Sequence, residues 1–185
     1  MEYQKIARTE TNFSNPFIKD YLEGSSKLRP FYNYLPKLSS IKEAVENKSD
    51  FSLGYRQTLA DCLLKQYQDS GIDLNKSAAV FSNIELLRDK NTYTVTTGQQ
   101  IHIALGPLYV LYKILDAIAT SHQCKQQYPE YDFVPVFWMA SEDHDFEEIN
   151  HINLYGQTFT WKYYESIGPV GRLSTLGVLP ILQKL

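Results

Sequence analysis

The first fifty residues carry the end signals of short helices. Asn15 has the character of an N-cap, Pro16 suits the first helical position, and Gly24 suits the residue after a helix. Ser40 and Glu43 have the spacing of a capping box, in which each side chain bonds the other's backbone. These signals predict one helix that ends before Gly24 and another that begins near Ser40.

Two longer helices are predicted before residue 91, because apolar positions recur there at helical spacing. The first covers residues 53–70 and is stopped by Gly71. Its predicted inward residues are Leu59, Cys62, Leu63 and Tyr67. The second runs from Ser77 to about Lys90. Its predicted inward residues are Val80, Phe81, Ile84, Leu86 and Leu87.

The pattern changes at Asn91, where a strand, a helix and a second strand are predicted. Residues 92–97 are β-branched or aromatic, which is typical of a strand. A helix is predicted from Gly106 and Pro107 to about Gln127. Its apolar stripe consists of Leu108, Leu111, Tyr112, Leu115, Ile118 and Ala119. Residues 133–139 form a nearly continuous apolar run, although Pro135 cannot donate to a strand ladder.

A strand, a long helix and a second strand make a βαβ unit, whose two strands lie parallel. Residues 151–155 and 158–163 then alternate like two more strands joined near Gly156. Residues 173–185 are apolar and resemble the start of another element. We therefore expect an α/β fold with a mainly helical region over residues 1–90. Residues 91–185 would form the first part of a parallel-sheet core that continues in a larger protein.

Composition narrows the class of protein. The 185 residues carry a net charge of −3, which argues against a protein that coats nucleic acid. Aromatic residues reach 14%, which excludes a disordered chain. Two cysteines exclude a disulfide scaffold and a multi-cysteine zinc site. No signal-peptide core opens the chain, and no apolar run approaches the ~18 residues that span a bilayer. A cytoplasmic protein without membrane partners is expected.

The first candidate site follows the first strand. Ligands of open parallel sheets bind beyond the carboxyl ends of the strands. Gly98, Gln99 and Gln100 lie at such an end, and a helix begins near Gly106 and Tyr109. Free backbone N–H groups at a helix start favour a phosphate or a carboxylate. An ordinary strand-to-helix turn explains the same residues without a ligand, and the phosphate-loop motif is absent.

The second candidate site follows the buried strand. Five acids and one histidine, His144, occupy residues 141–148, and the acids include Asp143 and Asp145. Closely spaced carboxylates with a histidine suit proton transfer, Mg²⁺ or Zn²⁺. The alternatives are an acidic helix start and a charged solvated loop. His144 and His151 are seven residues apart, which is weak evidence for a metal site. His102 lies in the first loop and could touch the same ligand.

Together the two segments resemble a known family. The sequence TGQQ at residues 97–100 is followed by GPLYVLYK at 106–113 and by PVFWMASEDHDFEEINH at 135–151. These motifs, in this order, resemble those of the bacillithiol biosynthesis cysteine-adding enzymes. The match is densest from Thr97 to His151 and looser toward the N-terminus. His102 departs from the resemblance, which leads us to expect a smaller or amide residue there.

The resemblance implies a Rossmann-like core similar to that of class I aminoacyl-tRNA synthetases. It implies a cysteine ligase that joins cysteine to glucosaminyl-malate in an amide bond, with ATP activating the cysteine carboxylate. ATP or ADP would bind near Gly98, Gln99, Gln100, Gly106 and Tyr109, and Mg²⁺ is a possible companion. Full-length members of the family carry a C-terminal coiled coil that mediates homodimer formation.

The resemblance also places residues 143–145 in the same crevice. We expect His144 to transfer a proton or to orient a substrate, and Asp143 and Asp145 to position it or to bind an amine. The rest of the nucleotide-binding half lies outside these 185 residues, so the isolated chain is expected to be inactive. Two alternatives stay open: a metal-dependent hydrolase that uses residues 142–148, and a non-catalytic fragment.

Overall fold

The structure is a computed structural model, and it describes residues 4, 6–7, 10–11, 15–48, 51–163 and 168–183. The chain forms two compact units, residues 1–50 and residues 51–185. Among the described residues, no helix combines the length and the apolar character that crossing a membrane requires. The predicted division of the chain at residue 90 stays a prediction.

The first unit contains two short helices, α1 (Pro16–Glu23) and α2 (Ile41–Glu46). Asn15 caps α1 as predicted, because its Oδ1 accepts a hydrogen bond of 2.9 Å from the backbone N of Ile18. Gly24 ends α1 with a φ of +75°, a conformation that glycine adopts without steric cost. The capping box predicted at Ser40 does not form. A 3₁₀ turn (Leu38–Ser40) runs directly into α2, and the Ser40 side chain makes no capping hydrogen bond.

The second unit begins with α3 (Leu53–Asp69) and α4 (Ala78–Leu86). The buried residues of α3 are Arg56 and Ala60. The predicted inward face of α3 is therefore partly wrong: Leu63 and Tyr67 are half-buried, whereas Leu59 and Cys62 are exposed. Arg56, whose position the apolar pattern does not assign to the core, takes a place on the buried face instead.

The Arg56 guanidinium connects three elements. Its Nη1 donates to the carbonyl oxygens of Leu87 at 3.2 Å and Thr92 at 3.1 Å, and its Nη2 donates to that of Lys90 at 3.4 Å. These carbonyls lie just after α4 and at the start of the next strand. A buried charge needs such hydrogen-bond partners. The predicted C-terminal end of α4 is wrong. The helix stops at Leu86 instead of Lys90, and the following carbonyls bond Arg56.

The predicted inward face of α4 is confirmed at some of its positions only. Ile84 and Leu87 are buried and Val80 is half-buried, whereas Phe81 and Leu86 are exposed. The helix packs against α3 and the sheet with one edge of its apolar surface. The other edge faces outward in the described part of the chain.

The predicted βαβ unit is confirmed. β1 (Thr92–Gln99) pairs in parallel with β2 (Asp132–Met139), and the register runs from Thr92 opposite Asp132 to Gln99 opposite Met139. The crossover is α5 (Leu108–Gln127). β1 is two residues longer than predicted and includes Gly98 and Gln99. Pro135 is accepted inside β2, which pairs on one side only among the described residues, and proline is tolerated on such an edge strand.

The predicted apolar stripe of α5 is mostly wrong: Ile118 is half-buried, and the other five predicted residues are exposed. The buried residues of this helix are Val110, Ala117, Ser121 and Cys124. In contrast, the predicted stripe includes exposed side chains, at 65% for Leu108, 40% for Leu111, 63% for Tyr112 and 50% for Leu115. Small residues bring the helix close to the two strands. The buried face therefore consists mainly of small side chains, which allow close packing against the strands.

The chain then forms a hairpin beside a small aromatic core. α6 (Phe146–Ile149) precedes β3 (His151–Leu154), which pairs antiparallel with β4 (Gln157–Thr160). Tyr155 and Gly156 at the turn both have positive φ angles, of 50° and 77°, which suits a two-residue hairpin loop. The second strand ends at Thr160, earlier than predicted. The core of this region consists of Ile103, Ile149, Trp161, Val170 and Ile181.

The element predicted from the apolar run after residue 172 is confirmed in part as α7 (Leu179–Leu182). Two 3₁₀ turns, Val170–Arg172 and Thr175–Gly177, lead into it. Residues 184 and 185 lie outside the described residues.

Candidate functional site

The two predicted sites meet through the glutamines that end β1. Gln100 Nε2 donates to Asp143 Oδ2 and to Glu148 Oε2, each at 3.0 Å. Gln99 Nε2 donates to the other oxygen of the Glu148 carboxylate. Gln100 is buried, with 6% of its surface exposed. The carboxyl ends of the two parallel strands are therefore joined by one continuous hydrogen-bond network.

Lys113 completes the network from the second turn of α5. Its Nζ donates to the carbonyl oxygen of Gly98 and, at 3.0 Å, to Oε1 of Gln99. The Gln99 amide thus lies between an ammonium group and the Glu148 carboxylate, which determines the orientation of the amide. Two of the three N–H donors of the Lys113 ammonium are therefore bonded within the network.

Four of the five acids of residues 141–148 accept hydrogen bonds, and they do so from different parts of the chain. Asp143 Oδ1 accepts from the backbone N of His144 at 2.6 Å and of Asp145 at 3.3 Å, which holds the turn after β2. Asp145 caps α6 by accepting from the backbone N of Glu148 at 3.2 Å. Glu142 accepts from the indole N–H of Trp138 at 3.2 Å. The alternative of an acidic helix start therefore applies to Asp145. Asp143 instead accepts from Gln100, and Glu148 accepts from both glutamines.

A cavity of about 550 Å³ lies beside α6. His144, Asp145 and Glu147 contribute to its polar wall. Three aromatic side chains line it too: the ring centroid of Phe146 lies 4.9 Å from that of Trp161 and 6.1 Å from that of Tyr163. The His144 side chain is 87% exposed, and its Nδ1 lies 3.6 Å from Asp143 Oδ1. His144 is therefore free to meet a ligand in this cavity.

His102 is buried under the start of α5. Its side chain is 1% exposed, and its Nε2 lies 3.8 Å from Glu148 Oε1. Burial lowers the pKa of the imidazole, and the nearby His151 acts in the same direction, whereas the Glu148 carboxylate opposes them. His102 thus belongs to the network as a neutral ring, and Glu148 contacts it as well as both glutamines.

The two predicted site glycines, Gly98 and Gly106, allow close packing against neighbouring protein atoms. Gly106 has a φ of 65° and a ψ of −155°, and a Cβ there would lie 2.5 Å from Cβ and Cγ of His102. A Cβ on Gly98 would lie 3.1 Å from the carbonyl oxygen of Trp138 on β2. Both close approaches are to protein atoms. Tyr109, in the first turn of α5, is 46% exposed and lies at the helix start where an anion was predicted.

No group of three or more His, Cys, Asp or Glu side chains is placed to hold a metal ion within the described ranges. His151, which the sequence paired with His144, instead contacts Asn150, with its Nδ1 3.0 Å from Asn150 Oδ1. The sequence analysis named Gly98 and Gln99, but it did not single out Glu148 among the acids or predict that Lys113 bonds those two residues. The available signal for Glu148 was its spacing from Asp145. An N-cap residue followed by Glu three positions later is typical of a helix start.

Comparison with known proteins covers nearly the whole chain. The family model described as "Bacillithiol biosynthesis BshC, N-terminal Rossmann-like domain" matches residues 1–184. A relative in Flavobacterium johnsoniae, named "Putative cysteine ligase BshC", is 46% identical over 178 residues, which are 96% of this chain and 33% of the relative. A relative of the same name in Christiangramia forsetii is 41% identical over 177 residues, 94% of this chain and 32% of that protein.

A more distant relative of that name, in Bacillus licheniformis, is 37% identical over 138 residues, which cover 75% of this chain and 24% of the relative. The chain spans about a third of the length of the first two relatives. The match to the F. johnsoniae relative covers 96% of this chain. The family model matches residues 1–184, a range that includes both candidate sites.

Proposed function

Because the chain belongs to the bacillithiol biosynthesis BshC family through its N-terminal Rossmann-like domain, we propose that it is the N-terminal part of an ATP-linked cysteine ligase. The predicted family and the predicted Rossmann-like α/β fold are confirmed by the same match. The relatives carry the name of a cysteine ligase, so the ligase class applies to the family. In our proposal, cysteine is added to glucosaminyl-malate through an amide bond in the last step of bacillithiol biosynthesis.

One observation carries the proposal for this site. Gln99 and Gln100 at the end of β1 bond Asp143 and Glu148 beyond the end of β2. The carboxyl ends of adjacent parallel strands are where open α/β sheets bind their ligands. A buried polar network lowers the stability of the fold unless its groups are hydrogen-bonded, and a bonded network holds those groups in a defined geometry. Its location favours a substrate site over a solvated turn.

The chemistry requires an activated carboxylate, an attacking amine and a base. ATP would supply the activation of the cysteine carboxylate. His144 is proposed to accept the proton that the amine loses on attack, because its ring is exposed and borders the cavity. Asp143, whose Oδ1 lies 3.6 Å from the His144 ring, would orient that ring. Asp145 holds the turn through its cap on α6 and keeps His144 in place.

The first turn of α5 fits a nucleotide phosphate better than the glutamines do. It contains no acidic residue, and no side chain caps the helix. Its free N–H groups beside Gly106 and Tyr109 would hold the anion. The amide N–H groups of Gln99 and Gln100 are already donated to carboxylates, so these residues would orient the site and leave the phosphate contact to the backbone. Mg²⁺ would be held chiefly by the nucleotide phosphates, because no group of three or more His, Cys, Asp or Glu side chains is placed to hold a metal ion among the described residues.

We further propose that the isolated chain is inactive, and that the full-length protein is a cytoplasmic homodimer. Nothing in the described part of the chain favours the metal-dependent hydrolase, because no metal-binding group of side chains is found there.

The test uses a full-length protein that carries this N-terminal sequence. We would incubate it with cysteine, glucosaminyl-malate and ATP and quantify bacillithiol by mass spectrometry. His144→Ala should reduce product formation about a hundredfold or more, the contribution of a general base, while leaving the circular dichroism spectrum unchanged. His122→Ala is the matched control, because His122 is exposed on α5 away from the network and should have no effect.

Unchanged product formation in the His144→Ala variant would overturn the role of His144. Product formation without ATP would overturn the ATP linkage, and no product from cysteine and glucosaminyl-malate would overturn the proposed reaction itself.

A further inference from the structure

We propose that Gln100, Asp143 and Glu148 form a binding site for a primary ammonium group of a substrate. This inference rests on the proposed ligase function, in which both joined substrates carry an amine. It extends the amine-binding role expected of Asp143 to two further side chains of the network, Gln100 and Glu148.

The first argument is the charge of the network. Asp143 and Glu148 are held by the same Gln100 nitrogen, at 3.0 Å from each carboxylate. Within the described ranges, no lysine or arginine lies within 4.0 Å of either carboxylate. The neighbouring histidines do not compensate them: His102 is buried and favours its neutral form, and His144 is exposed. Two close carboxylates without a cation attract a positively charged ligand.

The second argument is the orientation of Gln100. Its NH₂ group faces the two carboxylates, so its carbonyl Oε1 is the remaining acceptor. That oxygen is buried and has no hydrogen-bond donor in the described part of the chain, and the residue is 6% exposed. A buried acceptor without a donor is costly, which indicates a donor that binds from outside the chain.

A primary ammonium matches this set of acceptors. It carries three N–H donors and no acceptor. Gln100 Oε1 and the oxygens of Asp143 and Glu148 would supply three acceptors, two of them charged. The side chains of Asp143 and Glu148 are 42% and 33% exposed, so a ligand can reach them from solvent. The buried Gln100 would form the floor of the site.

An anion does not match. Lys113 is the cation of the network, and its Nζ is already bonded to Gly98 O and Gln99 Oε1. A phosphate beside Asp143 and Glu148 would meet two negative charges, and the described residues place no lysine or arginine within 4.0 Å of either carboxylate. The ammonium and the nucleotide phosphates would therefore occupy different parts of the crevice, the ammonium at the network and the phosphates at the start of α5.

Two substrates of the proposed reaction could supply the ammonium: cysteine through its α-amino group, or the amino sugar through the primary amine attached to its ring. Calorimetric titrations of the 185-residue chain at millimolar ligand concentrations would separate them. Cysteine and cysteamine test the first source, and glucosamine tests the second. N-acetylcysteine, N-acetylcysteamine and N-acetylglucosamine are matched probes that lack the charged amine.

We expect at least one free amine to bind and its acetylated counterpart to bind about tenfold more weakly or not at all. Glu148→Gln should weaken amine binding about tenfold or more, because it removes one of the two negative charges and keeps the size of the side chain. Glu130→Gln is the control, since Glu130 is exposed in the loop before β2 and should leave binding unchanged.

Circular dichroism verifies that each variant is folded. If Glu148→Gln unfolds the chain, Asp143→Asn removes the other charge and should weaken binding equally. Equal binding of an amine and its acetylated counterpart by the wild-type chain would overturn the proposal, as would equal binding by a folded charge variant. Failure of every free amine to bind the folded wild-type chain would overturn it too.

These outcomes are independent of the ligase test. Discrimination between amines and their acetylated forms, with no ATP-dependent product from the full-length protein, would retain the ammonium site and reject the reaction. ATP-dependent product formation without such discrimination would retain the reaction and reject the site.

Discussion

At the scale of single residues, Glu148 accepts hydrogen bonds from two glutamines that precede it by 49 and 48 positions. It also lies 3.8 Å from a buried imidazole. In the sequence it is one of five acids in a short segment, and only its spacing of three residues from Asp145 sets it apart from its neighbours. Its importance comes from its partners, which only the folded chain brings to it.

The two cysteines differ in burial and should differ in reactivity. Cys62 is exposed on α3, whereas Cys124 is fully buried on α5. Burial raises the pKa of the Cys124 thiol, which keeps it protonated and therefore a poor nucleophile. Treating the native chain with iodoacetamide should modify Cys62 alone, and both cysteines should react in denaturant. Peptide mass spectrometry checks this, and rapid native labelling of Cys124 would contradict it.

His102 should make the stability of the chain depend on pH. Because burial lowers its pKa below 6.5, the unfolded chain binds a proton that the folded chain does not bind at the same pH. The free energy of unfolding should therefore decrease as the pH falls from about 7.5 to about 5.5, through the ordinary pKa of histidine. Urea unfolding at both pH values measures the effect.

The control for that experiment is His102→Gln, whose side chain does not titrate. The loss of stability between the two pH values should be smaller in this variant than in the wild-type chain. An equal loss in both proteins would show that His102 is not responsible.

At the scale of elements, α5 presents its smaller residues to the sheet. Val110 is 4% exposed and Leu115 is 50% exposed, although the sequence assigns Leu115 to the inward stripe. Val110→Ala should lower the free energy of unfolding by about 2 kcal/mol, through lost burial and the cavity left behind. Leu115→Ala should lower it by less than about 1 kcal/mol. Chemical denaturation checks the order, and a larger cost for Leu115→Ala would place the stripe inward after all.

Arg56 connects α3 with the end of α4 and the start of β1. Arg56→Met keeps the aliphatic part of the side chain and removes the donors to three buried or partly buried carbonyls. We expect it to lower the free energy of unfolding by about 2 to 4 kcal/mol. Thermal and urea unfolding would measure the loss.

Lys65→Met is the matched control, because it removes a cation from the same helix. The Lys65 ammonium pairs with Asp69 at 2.7 Å, but its side chain is 73% exposed. Such a pair contributes little, so the expected loss is below about 0.5 kcal/mol. Similar losses in the two variants would contradict the role assigned to Arg56.

At the scale of the whole molecule, the compact unit that contains the sheet begins at Phe51, earlier than the predicted change of character at residue 90. Helices α3 and α4 pack within this unit, and Arg56 bonds the carbonyl oxygen of Thr92 on β1. A chain shortened to residues 51–185 should therefore keep a cooperative unfolding transition. A chain shortened to residues 91–185 should lose it, because it lacks these contacts.

Circular dichroism melting curves of the two shortened chains check this prediction. A cooperative transition in the 91–185 chain would support the boundary at residue 90. Loss of the transition in the 51–185 chain would show that residues 1–50 are needed for the second unit to fold.

The sequence by itself determined the local features of this protein. Asn15 and Gly24 mark the ends of α1, and β-branched residues mark β1, because these signals act within a few residues. The order of strand, helix and strand then predicts the parallel pair. It also identified the two motifs that resemble the family. These features depend on local backbone preference and periodicity, which need no knowledge of distant contacts.

Only the tertiary structure decided which faces are buried and which side chains meet. The inward face of α5 depends on how closely the helix can approach two strands. The burial of Arg56 depends on carbonyls more than thirty positions away, and the link from Gln100 to Asp143 and Glu148 spans more than forty. Such contacts depend on packing and on the pairing of distant polar groups, and neither leaves a periodic signal in the chain.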